Sequence, residues 1–309
     1  MPLSADNTIA DFARYLQFEK RYSAHTNRAY TDDLAAFKEY ILKEYEHSDW
    51  FSVTGFMVRS WLSSLREKTA DKPALNARSM ARKLSSLRSF YKYQLKKGKI
   101  RVSPVAGISA PKTSRSLPVY IEEKQAAVVA SSVTKSETWE ELTCGLALAL
   151  LYETGMRLNE LVTMTGKQVD AYTKTIRLFG KGGKERIIPI SPSLLAQLNH
   201  YEEQKKKQDW DAYNREAILL TSRGKQVYHK YIYRLINSLL AEVEATRHLK
   251  KKSPHILRHS FATHLLNAGA ELNAVKELLG HSSLAATQVY THNSIGKLRD
   301  VHRKAHPRG

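Results

Sequence analysis

Four side chains near the C-terminus combine the chemistry needed to cleave a phosphodiester. They are His255, Arg258, His281 and Tyr290, which span 36 residues in the segments "PHILRHSFATHLL" and "LGHSSLAATQVYTH". An arginine can bind a phosphate oxygen, a histidine can move protons, and a tyrosine hydroxyl can act as a nucleophile. The combination predicts cleavage of a DNA strand.

An earlier arginine is a candidate for the same phosphate. In "YETGMRLNEL", Gly155 is predicted to end one helix and Arg157 to open the next, where the side chain and free backbone amides could both face an anion. Alone, Arg157 is equally typical of a surface charge at a helix end. Together with Arg258 it would supply two planar guanidinium forks, which suit the non-bridging oxygens of one phosphate.

A lysine in the glycine-rich stretch "GKGGKE" completes the cationic set. Lys181 would lie on a two-stranded hairpin, beside a tight turn formed by the following glycine pair. An ATP-binding P-loop does not fit, because Glu185 follows Lys184 where serine or threonine is required and both flanks resemble strands. A hairpin lysine is usually solvated, so Lys181 gains its interest from the other members of the set.

The histidines also raise the possibility of a metal site. His255 and His259 have the i, i+4 spacing of zinc proteases, but the glutamate of that motif is absent and Arg258 between them would repel a cation. We therefore expect no metal and no cofactor. His259 and His264 are predicted to be structural, with their ring nitrogens hydrogen-bonded inside the domain.

The charge of the chain predicts a polyanionic partner. The 309 residues include 49 Lys and Arg against 30 Asp and Glu, a formal charge of +19, which fits nucleic acid or an acidic membrane surface. The longest apolar run is far shorter than the roughly 20 residues that cross a bilayer, and the N-terminus lacks the regions of a signal peptide. We expect a cytoplasmic protein with no membrane partner.

The single cysteine, Cys144, is predicted to be a core residue.

Length and composition predict two domains. A chain of 309 residues exceeds the usual size of one core, and the segment 103–118 carries three prolines and four serines without periodicity. We expect a helical DNA-binding domain over residues 1–109, a linker at 110–118 and a second domain over 119–309.

The first domain is predicted to be a helical bundle with a basic third helix. Helices should follow Ser23 and Thr54, and a third should run from about Asn76 to Lys97. Between residues 78 and 101 there are nine basic residues and no acidic ones. The apolar side of the third helix would comprise Met80, Leu84, Leu87, Tyr91 and Leu95. The predicted DNA-binding residues are Arg78, Arg82, Lys83, Arg88, Lys92 and Lys96. The alternative is that these basic side chains form an ordinary solvated face of the helix.

The second domain is predicted to mix helices with a small hairpin. The expected helices are Glu122–Ser131, Glu137–Tyr152, Leu158–Met164, Ser193–Lys207 and Tyr228–Val243, and the expected strands are Thr175–Phe179 and Arg186–Ile190.

Four blocks of sequence resemble the tyrosine recombinase (phage integrase) family, most closely the bacterial Xer (XerC/XerD-like) site-specific recombinases. The blocks are "TGMRLNEL", "FGKGGKERIIPI", "PHILRHSFATHLL" and "LGHSSLAATQVYTH". The resemblance covers the whole chain and implies a mainly α fold, with an N-terminal helical core-binding (SAM-like) bundle and a mixed α+β catalytic domain of the DNA breaking-rejoining type that contains a small β-sheet or hairpin. Met156, Leu158, Asn159 and Gly183 depart from the commoner family residues, but none of these changes removes a charged or nucleophilic group.

The resemblance also assigns roles to the candidate residues. The implied catalytic set is Arg157, Lys181, His255, Arg258, His281 and Tyr290. Tyr290 would attack the scissile phosphate and form a 3′-phosphotyrosyl link, with His255 helping to take its proton and Lys181 protonating the departing 5′ oxygen. The arginines and His281 would stabilise the developing negative charge without a metal.

The same resemblance implies partners. They are double-stranded DNA with a dif-like recombination site, a homo- or hetero-tetramer on synapsed DNA that could include a sister Xer recombinase, and an FtsK-type DNA translocase. Residues 291–309 would dock on a neighbouring protomer or form a frayed basic tail. A small phage or transposon integrase, a type IB topoisomerase and a non-enzymatic basic DNA-binding protein are the alternative functions.

Overall fold

The chain divides into two compact units, Met1–Ser116 and Leu117–Gly309. The computed structural model describes residues 7–47, 49–67, 74–112, 119–133, 138–180, 185–210, 214–250 and 252–280. Both units are mainly helical, which confirms the predicted fold class. Within the described ranges, no helix is both long and apolar enough to cross a membrane.

Where the structure describes it, the first unit contains four α-helices: α1 (Asn7–Arg14), α2 (Ala24–Tyr45), α3 (Gly55–Ser64) and α4 (Ala77–Lys96). The starts of α2, α3 and α4 are as predicted, because the side chains of Ser23, Thr54 and Asn76 each accept a hydrogen bond from the backbone amide three residues later. Such caps each contribute about 1 kcal/mol. Helix α3 ends at Ser64, and the amides of Arg66 and Glu67 then make bonds that span three residues.

Helix α1 and the π-helical turn that continues it, Tyr15–Glu19, were not predicted. They explain why one residue of α4 was wrongly predicted to belong to its apolar side. Tyr93 of α4 packs against Tyr15, with ring centroids 4.5 Å apart. The last turns of α4 therefore bury Tyr93 and Gln94, whereas Leu95 is 39% exposed and does not belong to the apolar side predicted for it. The other predicted apolar residues of α4 are buried.

The described part of the second unit combines a three-stranded antiparallel sheet with helices. Its strands are β1 (Val169–Asp170), β2 (Thr175–Phe179) and β3 (Glu185–Pro189), in the order β1-β2-β3. Its helices are α5 (Glu123–Ser132), α6 (Trp139–Thr154), α7 (Leu158–Val162), α8 (Pro192–Lys207), α9 (His229–Glu242), α10 (Glu244–Arg247), α11 (Pro254–Asn267) and α12 (Leu272–Leu279). The predicted strand Thr175–Phe179 is confirmed with the same bounds, the other predicted helices and strand are present with shifted ends, and β1 was not predicted. The predicted glycine turn lies outside the described residues.

Helix α6 is the centre of the second core. Every residue from Thr143 to Thr154 is buried. This confirms that Cys144 is a core residue, and burial raises the pKa of its thiol to about 12. The helix ends at Gly155, whose φ of +59° favours glycine, and a Cβ at this position would overlap the ring of Phe261 in α11. Glycine here lets α11 pack directly against the end of α6.

Candidate active site

The end of α6 brings the two predicted arginines to one place. Arg157 is the residue immediately before α7, as the sequence predicted, and Arg258 lies in the second turn of α11. Arg258 Nη1 donates a hydrogen bond to the carbonyl oxygen of Gly155, two residues before Arg157. The carbonyl of Gly155 therefore ties the Arg258 side chain to the backbone segment that carries Arg157.

The C-terminus of α12 binds three guanidiniums on consecutive carbonyl oxygens. Arg186 Nε donates to Leu278 at 2.8 Å, Arg258 Nη2 to Leu279 at 2.6 Å, and Arg157 Nη2 to Gly280 at 2.9 Å. Carbonyls at a helix C-terminus lack intrahelical partners and carry partial negative charge, which favours cations. The end of α12 thus brings the three arginines together. It immediately precedes His281 in the sequence.

A buried carboxylate joins two of these arginines. Glu160 accepts a two-bond fork from Arg186, at 2.9 Å and 2.6 Å, and one bond from Arg157 Nη1 at 3.0 Å. Burial disfavours its charged form, but the hydrogen bonds from Arg186 and Arg157 outweigh burial and hold the pKa of Glu160 below its usual value. Glu160 also accepts the backbone amide of Arg157 at 2.7 Å. The amide predicted to face an external anion is therefore already bonded, because α7 supplies its own first-turn carboxylate.

The cluster of Arg157, Glu160, Arg186 and Arg258 carries excess positive charge. Three guanidiniums face one carboxylate, which leaves two positive charges uncompensated within the cluster. Burial, reinforced by Arg157 and Arg186, lowers the pKa of Arg258 to about 10, so its guanidinium is still charged at neutral pH. Because the Arg157 side chain is 39% exposed, an anion from solvent can reach this cluster. Fixed cations of this kind stabilise the negative charge that develops on a reacting phosphate.

The histidines of α11 have different surroundings. His255 is exposed in the first turn, three residues before Arg258, so both lie on the same face of the helix. His264 is buried, with its ring nitrogens 2.8 Å from Tyr152 Oη and from the carbonyl oxygen of Ile121, which confirms its structural role. His259 was predicted to resemble His264, but it is exposed and makes no hydrogen bond to the described part of the chain.

Three members of the predicted catalytic set are not placed by the structure. Lys181, His281 and Tyr290 lie outside the described residues.

The predicted DNA-binding residues of α4 divide into two groups. Four have partners within the first unit: Arg82 and Lys83 pair with Asp33, Arg88 donates to the carbonyl of Ile108, and Lys96 pairs with Glu19. Arg78 and Lys92 are exposed, and neither has an ion-pair partner in the described ranges. These two side chains are therefore free to contact a polyanion.

Glu160 and Arg186 were not predicted to be members of the site. Both left a signal in the sequence. Glu160 follows Arg157 by three residues, which is the spacing of a helix-capping carboxylate. Arg186 occupies the same face of β3 as buried Ile188, where an apolar residue is expected. A charge at such a position needs a buried partner.

Comparison with known families decides the class of the protein. The model described as "Phage integrase family" matches residues 119–296, and that described as "Phage integrase, N-terminal SAM-like domain" matches residues 9–98. The chain belongs to the phage integrase family, the tyrosine recombinases. It is therefore an enzyme of that family, as the sequence blocks predicted.

Full-length relatives refine the comparison. The chain is 36% identical over 304 residues to tyrosine recombinase XerC of Oceanobacillus iheyensis, covering 97% of this chain and 96% of the relative. It is 33% identical over 306 residues to tyrosine recombinase XerD of Staphylococcus saprophyticus, covering 98% and 99%. The resemblance to Xer recombinases is thus confirmed, and it extends to both XerC and XerD.

Solved structures share the fold. The Tn1549 transposon integrase in complex with circular intermediate DNA aligns with a TM-score of 0.69 at 18% identity, covering 94% of this chain and 98% of that one. The XerH recombinase bound to palindromic difH substrate, a post-cleavage complex, aligns with a TM-score of 0.69 at 20% identity, covering 94% and 83%.

Proposed function

We propose that this recombinase cuts and rejoins double-stranded DNA at specific sites through a 3′-phosphotyrosyl intermediate. The observation that carries the proposal is the convergence of Arg157 and Arg258 on the end of α12, in a cluster with two uncompensated positive charges. A scissile phosphate is an anion whose oxygens match two guanidinium forks. The XerH and Tn1549 structures, which hold DNA, support DNA as the partner.

In the proposed reaction Tyr290 Oη attacks the scissile phosphorus while the bond to the 5′ oxygen breaks. His255 takes part in removing the tyrosine proton, and Lys181 gives a proton to the departing 5′ oxygen. Arg157 and Arg258 stabilise the phosphorane oxygens, with a further hydrogen bond from His281. The 5′ hydroxyl of a second strand then attacks the phosphotyrosine and releases Tyr290, so strand exchange needs no ATP.

The two units have separate tasks in this proposal. Residues 1–109 form the core-binding domain and contact DNA through α4, residues 110–118 form the linker, and residues 119–309 carry the chemistry. Arg78 and Lys92 are the strongest candidates for phosphate contacts, because the other four basic residues of α4 also have partners within the unit.

The biological role that we propose is resolution of chromosome dimers at a dif-type site. Identity above 30% to both XerC and XerD relatives supports this role over that of a mobile-element integrase. The working assembly would be a tetramer on two synapsed sites, including a sister Xer recombinase where one exists, with an FtsK-type translocase as activator.

The test uses nicked suicide DNA that carries a dif-type site. Wild type should form a covalent protein–DNA adduct on a denaturing gel, and Tyr290→Phe should bind the DNA without forming one. Tyr172→Phe is the matched control, because Tyr172 is 96% exposed in the turn between β1 and β2, and this variant should react like wild type. If Tyr290→Phe still forms the adduct, the assignment of the nucleophile is wrong. If wild type binds its native site without reacting, the catalytic proposal fails.

A further inference from the structure

We infer that Arg186 is a positioning residue for strand cleavage, which fixes Arg157 through Glu160 and fixes the end of α12 directly. This inference rests on the proposed function, because it assigns Arg186 a part in the same reaction. Arg186 lies within the block "FGKGGKERIIPI", but the family resemblance assigns it no part in the catalytic set.

The contacts of Arg186 all point into the protein. Its Nη1 and Nη2 atoms bond the two oxygens of Glu160, and its Nε atom bonds the carbonyl oxygen of Leu278. The side chain is only 4% exposed, so it cannot reach a phosphate in solvent. Arg186 can therefore act on the reaction through its charge and through the groups that it holds, and not by contact with the phosphate.

The first of these groups controls Arg157. Because Arg186 takes both oxygens of Glu160, the carboxylate is fixed, and it offers Arg157 one backbone bond and one side-chain bond. Without Arg186, Glu160 would keep Arg157 as its only cationic partner in the cluster. The carboxylate would then turn toward that guanidinium and compete with the phosphate for its N–H groups.

The second group is the end of α12. Arg186 and Arg157 bond carbonyls at positions 278 and 280, on either side of the carbonyl bonded by Arg258. Gly280 has a φ of +62°, and a Cβ there would lie 3.1 Å from Arg186 Nη1 and 3.2 Å from its Cδ. Arg186 thus packs against the last described residue before His281, a proposed contributor to the chemistry.

A buried ion pair can also serve stability alone, and the test must separate the two roles. Arg186→Lys keeps the positive charge but loses the planar fork, whereas Arg186→Gln loses both. Lys205→Gln is the matched control, because Lys205 is 1% exposed in α8 and bonds Glu202 and the carbonyl of Ala217, outside the arginine cluster. It breaks the ion pair of a buried lysine, whose partner Glu202 is 46% exposed, without disturbing that cluster.

The measurement is the single-turnover rate of adduct formation on suicide DNA, alongside DNA affinity and melting temperature. Both Arg186 variants should cleave on the order of 10²-fold more slowly with near-normal affinity, because small misplacement of a catalytic group has effects of that size. Lys205→Gln should lower the melting temperature and leave the rate of folded protein unchanged. If Arg186→Gln does not fold, the cleavage rate of Arg186→Lys alone tests the positioning role.

A double-mutant cycle gives the readout that a purely structural role would not move. In an Arg157→Ala background, Arg186→Lys should slow cleavage by a smaller factor than it does in wild type, because the route through Glu160 and Arg157 is gone and only the route through the end of α12 remains. Full additivity of the two effects, or an Arg186→Lys rate equal to wild type, would overturn the inference. Failure of wild type itself to form an adduct would instead count against the proposed function.

Discussion

Replacement of Arg258 by alanine tests the core of the arginine cluster. The substitution removes one of two guanidiniums that we assign to the scissile phosphate, together with its hydrogen bonds to the carbonyls of Gly155 and Leu279. Loss of one preorganised donor to a developing negative charge costs about 10²–10³ in rate, or about 3–4 kcal/mol. We therefore expect adduct formation to slow by at least about 10²-fold.

The same substitution has a separate effect on stability. Gly155 and Leu279 are both buried, and each carbonyl that loses its donor costs about 1–3 kcal/mol. Arg258→Ala should thus melt at a lower temperature than wild type. Arg258→Lys keeps the charge and can bond one of the two carbonyls, so its rate and melting temperature should both fall between those of alanine and wild type.

The assay is single-turnover adduct formation with saturating protein, at a temperature where every variant is folded. Arg247→Ala is the control, because Arg247 is an exposed arginine of α10 whose side chain bonds, among the described residues, only the carbonyl of Glu242. It should cleave at the wild-type rate. An Arg258→Ala protein that is folded, binds DNA and cleaves at the rate of the control would refute the assignment of Arg258 to the phosphate.

Three further predictions concern fold and binding. Gly155→Ala should destabilise the second unit by about 3 kcal/mol, from the positive φ and the overlap with Phe261, and an unchanged urea midpoint would contradict this. Burial lowers the pKa of His264, so the unfolded state binds the extra proton and stability should decline as pH falls below about 6.5. Urea titrations across pH 5–8 should show a weaker decline in His264→Gln, and equal slopes would exclude this histidine as a cause. Arg78→Ala and Lys92→Ala should each weaken DNA binding and reduce the salt slope by about 0.9, whereas slopes equal to wild type would place these side chains away from phosphates.

Local signals in the sequence predicted most of the helices and strands. Ser23, Thr54 and Asn76 carry the side-chain oxygens that cap α2, α3 and α4, and Gly155 marks the end of α6. These interactions join residues at most a few positions apart, so the sequence contains all the information that they need.

The parts that sequence analysis missed depend on contacts between distant segments. Arg186 resembled an ordinary strand residue until Glu160 and Leu278 were found beside it. Leu95 was assigned to the core of the first unit because the helical wheel ignores α1, whose π-helical continuation places Tyr15 against Tyr93. In each case the partner comes from another element, and no local periodicity reveals it.

Peptide mapping of the adduct shows whether Tyr290 becomes covalently linked to DNA. Trypsin cleavage after Lys276 and Lys297 would release residues 277–297, in which Tyr290 is the only tyrosine. After nuclease treatment, mass spectrometry should find a phosphonucleotide on this peptide, with fragment ions that locate it at position 290. An adduct that maps to any other residue would show that Tyr290 is not the nucleophile.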